Sequence, residues 1–376
     1  MQLTPDLQTD HAISHPLGLL TAAALALMPA TAQAVAPPDS TSVTVSYLSY
    51  QDYDAQRDRM QVHAPQLHLR TALGERFGLE MAATVETMSG ASPEFHNALS
   101  GASGKGIADR RRAADAKLSH YFDRVVLGLG LAYSDEDDYR SRGAGLDVQW
   151  LSEDQNTTLV AGLGSSSDHI SATDRPLIQQ RRHGKEAMLG LTQVLSPVAI
   201  VQSNLTYSRG HGYFSDSYKA LDRRPDSRHQ LAWLTRYRHY LPALQAAVHL
   251  DYRYYRDSWG VRAHSLETSW YQPVGERWLL QPSLRYHSQA AARFYSDRFP
   301  PARFNTLYSA DSRLGALGAV TVGLKASWHY SAQTTVALLA EHYQQRASWH
   351  AGGQGSTAMM PFKANWLSLG VGHRFE

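Results

Sequence analysis

The sequence predicts an all-β protein: a transmembrane antiparallel up-and-down β-barrel of about 16 strands, with 14 or 18 strands as alternatives. Apolar residues alternate with small or polar ones along many segments, and short connections alternate with long ones. The composition, with 43% hydrophobic and 19% charged residues and a mean hydropathy of −0.39, is too polar for a helical membrane protein. Past residue 34, no apolar run approaches the roughly 18 residues that a spanning helix needs.

The clearest alternation lies at residues 125–134, which read Val-Val-Leu-Gly-Leu-Gly-Leu-Ala-Tyr-Ser. Large apolar side chains occupy every second position from Val125 to Tyr133, and the positions between them are mostly small. A period of two places these two sets on opposite faces of a strand. We therefore expect the large face to contact lipid and its tyrosine to lie at the membrane–water interface.

The same alternation, bounded by turn residues, predicts the other strands in order. The predicted spans are 43–52, 58–71, 76–89, 111–122, 125–136, 140–152, 156–169, 184–195, 198–209, 227–240, 243–257, 260–272, 276–289, 312–329, 334–346 and 364–375. An even number of strands places all short connections at one end of a barrel whose termini share a side.

The connections separate into two sets along the chain. Every second one is short, and the remaining set contains the long segments 90–110, 170–183, 210–226, 290–311 and 347–363. Outer-membrane barrels have short periplasmic turns and longer extracellular loops. The segregation therefore predicts which end of the barrel faces the cell exterior.

The chain ends carry export and assembly signals. Residues 1–34 are predicted to be a cleaved signal peptide, because an apolar stretch ends there in the small-x-small pattern Ala32-Gln33-Ala34. The segment before this stretch contains no Lys or Arg, which departs from the usual positive charge. A short N-terminal segment at 35–42 and the barrel at 43–376 follow. We expect a Gram-negative outer-membrane location.

The last predicted strand resembles the C-terminal targeting strand of outer-membrane proteins, because alternate apolar residues lead to Phe375, although Glu376 follows it. The expected partners are therefore the barrel-assembly machinery, outer-membrane lipid and lipopolysaccharide, with a periplasmic partner as a further possibility. A formal net charge of +2 gives no reason to expect nucleic acid. The chain contains no cysteine, which excludes thiolate and disulfide chemistry.

Several segments together resemble an uncharacterised family of Gram-negative outer-membrane barrels, a domain of unknown function. They include Tyr133-Ser134-Asp135-Glu136-Asp137-Asp138-Tyr139, Gly212-Tyr213-Phe214-Ser215-Asp216-Ser217-Tyr218-Lys219, Arg224-Pro225-Asp226 and Tyr252-Arg253-Tyr254-Tyr255-Arg256-Asp257-Ser258-Trp259-Gly260. The resemblance covers nearly the whole chain after the leader and implies location and fold. It supplies no catalytic residue and no cofactor.

Charged residues of the strands are candidates for the wall of an aqueous lumen. The predicted lumen residues are Arg253, Arg285, Arg313, Lys325, Arg262 and Asp251. A basic lining favours anions, since a narrow low-dielectric channel strengthens fixed charge. The alternative is that these charges pair across neighbouring strands and only fill a wet interior. The first functional hypothesis is a channel for small polar or anionic solutes.

Two other functions stay open at this level. One is a structural barrel that holds a periplasmic, redox or metal-handling partner. The other is a surface lipid hydrolase, for which His169 and Ser171 have the spacing of two that places a base and a nucleophile on one strand face. Aspartates also cluster at strand ends, where they serve as Ca²⁺ ligands or as solvated turn residues. We expect no enzyme and no metal site.

Overall fold

The computed structural model describes residues 36–54, 58–90, 107–172, 178–219, 221–297 and 306–375. The predicted leader at 1–34 and most of the predicted loop at 90–110 lie outside these ranges. No helix of the described chain is long and apolar enough to cross a membrane.

Sixteen strands form one closed antiparallel barrel, in which each strand pairs with the next and β1 pairs with β16. The strands are β1 Thr41–Tyr53, β2 Asp58–Leu73, β3 Phe77–Gly90, β4 Ile107–Tyr121, β5 Val125–Asp135, β6 Tyr139–Leu151, β7 Thr157–Ser171, β8 Gln179–Ser196, β9 Ala199–Gly212, β10 Ser227–Leu241, β11 Ala246–Asp257, β12 Arg262–Val274, β13 Trp278–Gln289, β14 Leu317–His329, β15 Thr334–Arg346 and β16 Phe362–Phe375. The predicted architecture and strand number are confirmed. Closure leaves no strand edge unpaired, which a spanning sheet requires.

The outer face is apolar along the middle of the strands. On β5, Leu129 lies opposite Leu118 of β4 and Leu146 of β6, and all three are exposed, at 44%, 38% and 63%. A soluble protein of this size buries such residues, whereas a barrel in a membrane presents them to lipid. The large side chains of residues 125–134 therefore lie on the outer face, as the alternation predicted.

The boundary of β14 differs from the prediction of 312–329. The strand begins at Leu317, and Ser312–Leu314 form a 3-10 turn instead. Asp311 causes the difference, because its carboxylate accepts hydrogen bonds from the backbone nitrogen and the side chain of Arg313. This local capping competes with strand pairing.

All long connections lie at one end of the barrel, and the other end has only short turns. The short end contains turns such as 74–76, 242–245 and 275–277, and the chain enters and leaves the barrel there. The other end contains the long connections 213–226, 290–316 and 347–361, which we call the long-loop end.

Candidate functional site: a charged lumen beneath a loop layer

The inner faces of β10 to β14 carry what we call the basic wall. Its cations alternate along the strands with exposed outer residues such as Leu250, Leu284 and Leu324, so they point inward. The basic wall consists of Arg236, Arg238, Arg253, Arg285 and Lys325, accompanied by the acids Asp251 and Glu267.

Most charges of the basic wall pair with a neighbour. Asp251 accepts from Arg238 and lies 3.4 Å from the Nε of Arg236. The Nε of Arg285 donates to Glu267 over 2.7 Å. Arg253 makes no ion pair with any described residue, and its guanidinium lies 5.6 Å from the ring centre of Tyr255.

A second charged surface lies on the inner faces of β2 to β8. We call it the acidic wall, and it consists of Glu80, Asp115, Asp147 and Glu186, with Arg70 and Lys117 as the cations among them. Asp147 lies 2.8 Å from the Nζ of Lys117, while Asp115 and Glu186 make no ion pair within the described chain. Gly128 makes room for the Lys117–Asp147 pair, since a Cβ there would meet both side chains.

The two walls face one another. The order of strands places β4 eight positions from β12 in the ring of sixteen, on the opposite side of the barrel. Cations outnumber acids on the basic wall, and acids outnumber cations on the acidic wall. Fixed charges of opposite sign across a low-dielectric pore create a transverse field.

Two predicted lumen residues lie elsewhere. Arg262 is exposed and shares the outer face of β12 with Leu266, so the prediction that it lines the lumen is wrong. Strand alternation is the reason, because even-numbered residues of β12 point outward. Arg313 belongs to the connection before β14, where it pairs with Asp311 over 2.6 Å, so its predicted strand position is also wrong. Arg253, Arg285, Lys325 and Asp251 lie on the inner face.

The long connections join into a loop layer, which we define as residues 213–226, 258–261, 290–316 and 347–361 where the structure describes them. At its centre, Arg224 pairs with Asp222 over 2.8 Å and with Asp311 over 3.1 Å. The hydroxyl of Ser309 donates to Asp222 over 2.6 Å. All three charged side chains are at most 9% exposed. These contacts link the connection after β9 to the connection after β13.

The loop layer also has an apolar core. Trp259, Val261, Ala292 and Leu314 are buried together, and Phe214 packs its edge against the Trp259 ring. Arg228, on the inner face of β10, lies 4.2 Å from the centre of the Trp259 ring. Because a strand residue of the inner face holds the core of the layer, these loops fold over the lumen rather than away from it.

The loop layer also contacts a buried ion pair of the barrel wall and the connection after β5. On the inner face, Arg182 pairs with Asp168 over 2.6 Å, and the two side chains are 3% and 0% exposed. The ring of Phe214 lies 5.2 Å from the Arg182 guanidinium. The connection after β9 then reaches the one after β5, where the Tyr218 hydroxyl donates to Asp138.

The layer shifts the ionisation of its central groups. Burial opposes ionisation of Asp311, but the Arg313 and Arg224 guanidinium groups hold the pKa of that carboxyl well below its usual value. Burial likewise opposes the charge of Arg224, and Asp311 and Asp222 outweigh it, so the pKa of Arg224 is raised. The Asp311 carboxyl and the Arg224 guanidinium are therefore charged at neutral pH.

The aspartates at the strand ends are the functional residues whose role the sequence left open. Asp168, Asp222, Asp257 and Asp311 all accept from arginines and are nearly buried. They are neither solvated turn residues nor a calcium cage, and no group of three or more possible metal ligands occurs within the described ranges. The only early signal was that two of them, Asp222 and Asp257, lie within or beside the segments that carry the family resemblance.

The residue pair required for a surface hydrolase does not form. The Nε2 of His169 lies 2.7 Å from the amide oxygen of Gln179. The Ser171 hydroxyl donates to the carbonyl oxygen of Asp138 over 3.3 Å. Neither contact joins Ser171 to His169, so the predicted base and nucleophile are not paired in the part of the chain that the structure describes.

Comparison with protein families identifies the chain. The profile of one family, described as "Protein of unknown function (DUF3570)", matches residues 17–103, 96–183 and 173–366. The chain belongs to this DUF3570 family. The family resemblance carried by the motifs is confirmed, and no curated protein matches the sequence.

Solved structures similar to this DUF3570 protein are Gram-negative outer-membrane barrels. CdiB from Acinetobacter baumannii aligns with a TM-score of 0.51 and 11% identity, over 87% of this chain and 60% of its own. The siderophore receptor PirA from Pseudomonas aeruginosa aligns with a TM-score of 0.44 and 12% identity, over 82% and 57%. The outer membrane protein opdK from Pseudomonas aeruginosa gives 0.47 and 10%, over 90% and 100%. The DUF3570 chain thus spans less than two thirds of the first two, and the likeness shows the fold alone.

Proposed function

We propose that this barrel is a passive channel for small polar solutes, anions among them, across the bacterial outer membrane. The observation that carries the proposal is the pair of oppositely charged walls inside a closed ring of 16 strands. Barrels of this strand number enclose an aqueous channel, whereas rings of about eight strands are filled by their own side chains.

The outer face supports the membrane location. Its central band consists of exposed residues such as Leu131, Leu163 and Leu189, at 55%, 66% and 63% exposure. Charged residues on this face would cost about 2–4 kcal/mol each at the bilayer midplane. The strands instead place their central charges on the inner face, which needs water or ion pairs to solvate them.

The charge distribution indicates the class of solute. A transverse field orients dipolar molecules as they pass, and Arg253 offers an unneutralised guanidinium to anions. Asp115 and Glu186 oppose a strong overall preference for anions. We therefore expect weak ion selectivity in the wild type. A mutation that neutralises one wall should shift the selectivity in a direction set by that wall.

Reversal potentials of the purified barrel in planar bilayers test this proposal. Arg253→Gln should shift selectivity toward cations, and the matched change Asp115→Asn should shift it toward anions. Both shifts should shrink as salt rises, because the Debye length falls from about 10 Å at 0.1 M to about 3 Å at 1 M. Both variants should fold, because lumen positions tune selectivity more than insertion.

The single-channel conductance of a loop-layer variant provides a second test. Because its residues fold over the lumen, loosening it with Arg224→Met should raise single-channel conductance. A folded barrel without conductance above the bare bilayer, in both the wild type and Arg224→Met, would contradict the channel. That result would favour the alternative of a barrel that holds a periplasmic partner.

A further inference from the structure

The outer face of β8 and β9 carries an uncompensated positive surface at the long-loop end. Arg181, His183 and Lys185 on β8 and Arg209 and His211 on β9 are all exposed. They share the face of Leu189 and Leu205, which point away from the lumen. We call these five residues the cationic patch.

Two fixed positive charges, Lys185 and Arg209, face one another within the cationic patch. Lys185 lies directly opposite Arg209 in the register of β8 and β9, and His183 lies opposite His211. Directly opposed like charges destabilise a pair of strands. The structure gives none of the five an acidic partner among the described residues, and the outer faces of β7 to β10 carry no acid there. An anion bound between Lys185 and Arg209 would remove the repulsion.

An apolar groove lies on the same strands below the patch. Its volume is about 730 Å³, and Trp150 of β6 and Trp233 of β10 stand at its two sides. Between them the lining includes small outer-face residues, Ala161 of β7 and Ser203 of β9. The groove therefore results from small residues that lie between large ones on adjacent strands.

The distance between the patch and the groove fits an amphiphilic ligand. Leu189, which lines the groove, is four residues from Lys185 along β8, or about 13 Å at the rise of a strand. The groove extends from Leu189 toward the short-turn end, where Trp150 and Leu159 lie, and the patch lies at the long-loop end of the same outer face. A ligand that fits both has anionic groups at the membrane surface and hydrocarbon chains in the membrane.

We propose that the cationic patch and the groove together form a binding site for a phosphorylated glycolipid of the outer leaflet, the lipid portion of lipopolysaccharide. Its phosphates bind Lys185, Arg209 and the neighbouring Arg181, since guanidinium groups bind phosphate with paired hydrogen bonds. Its acyl chains fill the groove. The proposal rests on the outer-membrane location with the long loops outside, and it does not depend on conductance.

Native mass spectrometry of the detergent-purified, full-length barrel tests the site. The probes are bisphosphorylated hexa-acylated lipid A, the same lipid without phosphates, and inorganic phosphate. The wild type should retain the first and release the other two, because phosphates and chains bind together. The doubly neutralised variant Lys185→Gln/Arg209→Gln should bind the bisphosphorylated lipid at least about tenfold more weakly, which corresponds to one lost charge-assisted hydrogen bond.

A matched control variant removes two positive charges from another part of the outer face. Arg256 of β11 and Arg262 of β12 are also exposed and directly opposite each other at the long-loop end, but they do not line the groove. Arg256→Gln/Arg262→Gln should keep wild-type binding. Filling the groove with Ala161→Trp should weaken lipid binding while leaving all charges in place. Heat-modifiable gel mobility verifies that each variant is folded.

Three results would overturn the proposal. Equal losses in the two charge variants would indicate general surface attraction rather than a site. Unchanged binding in Lys185→Gln/Arg209→Gln would remove the role of the patch. Equal retention of the lipid with and without phosphates would show that the groove binds hydrocarbon alone.

Discussion

The wall of the barrel and the loop layer above it are stabilised in opposite ways. On β5 the outer side chains are leucines that contact lipid, and each meets an apolar neighbour such as Leu118 or Leu146 in register. In the loop layer, Arg224 and Asp311 are buried and pair with each other although they are 87 residues apart in the chain. The wall depends on a local repeat, and the layer depends on contacts between distant segments.

Because of this difference, a mutation can disrupt the loop layer without unfolding the barrel. Strand pairing and the apolar band use no contact from the loop layer, because the strands hydrogen-bond to one another around the closed ring. The loop layer depends on a few buried charges, and a buried charge without its partner is strongly destabilising. Mutations should therefore distinguish a barrel that does not fold from one that only loses its layer.

The largest expected effect is the loss of Arg224. Arg224→Met leaves Asp222 without its arginine in a site where the aspartate is 2% exposed. Removing one member of a buried pair costs about 3–5 kcal/mol, because the remaining charge is uncompensated. We expect limited proteolysis to cut within 213–226 and 290–316 while the heat-modifiable barrel band persists.

An exposed ion pair provides the control. Arg124 pairs with Glu153 at the short end, where the side chains are 49% and 85% exposed. Such pairs contribute about 0–1 kcal/mol, so Arg124→Met should leave the cleavage pattern unchanged. Identical patterns for both variants and the wild type would show that the buried network does not hold the layer.

The next effect concerns the wall. Leu129→Arg should destabilise the folded barrel by about 2–4 kcal/mol, because it places a charge on the lipid face near the midplane. The measurement is urea-induced unfolding in lipid vesicles. Gly130→Ser is the matched change on the inner face, where Gly130 lies between Lys117 and Gly145, and it should be milder. Equal effects would show that the facing assignment is wrong.

The sequence predicted the wall well because facing follows from a period of two. Leu129 and Val322 lie on the outer face and Arg253 on the inner face, as alternation indicated. It failed at Arg313, where the apparent alternation continued past the true start of β14 at Leu317. Periodicity does not report a side chain such as Asp311 that captures the backbone before a strand begins.

The charged walls were only partly predictable. Strand parity placed Asp251 and Arg285 inside, but it could not show that Asp251 binds two arginines, since that requires the register of β10 against β11. The opposition of the two walls follows from closure of the ring, which no local pattern contains. The loop layer was least predictable, because four strands separate Asp222 from Ser309 along the chain.

Acid should loosen the layer before it affects the wall. The pKa of Asp311 is lowered in the folded protein, so its contribution to stability is complete above the unfolded value of about 3.9 and is lost as pH falls toward the folded value. We expect the loop layer to resist protease at pH 5 and to become susceptible only below about pH 4. In Asp311→Asn this pH dependence should be weaker. Susceptibility that begins at pH 6 would indicate another titrating group.

The smallest expected perturbation tests which end of the barrel faces outward. Gly353 in the loop layer and Gly275 in a short turn have positive φ angles of 111° and 62°, and nothing lies within 4 Å of a Cβ added to either. Open turns tolerate insertions, so an epitope tag at either position should leave folding intact. An antibody should detect the Gly353 tag on intact cells and the Gly275 tag only after permeabilisation. The reverse pattern would invert the barrel, place the cationic patch in the periplasmic leaflet and remove the basis for binding an outer-leaflet glycolipid, while the charged lumen would keep its opposed walls.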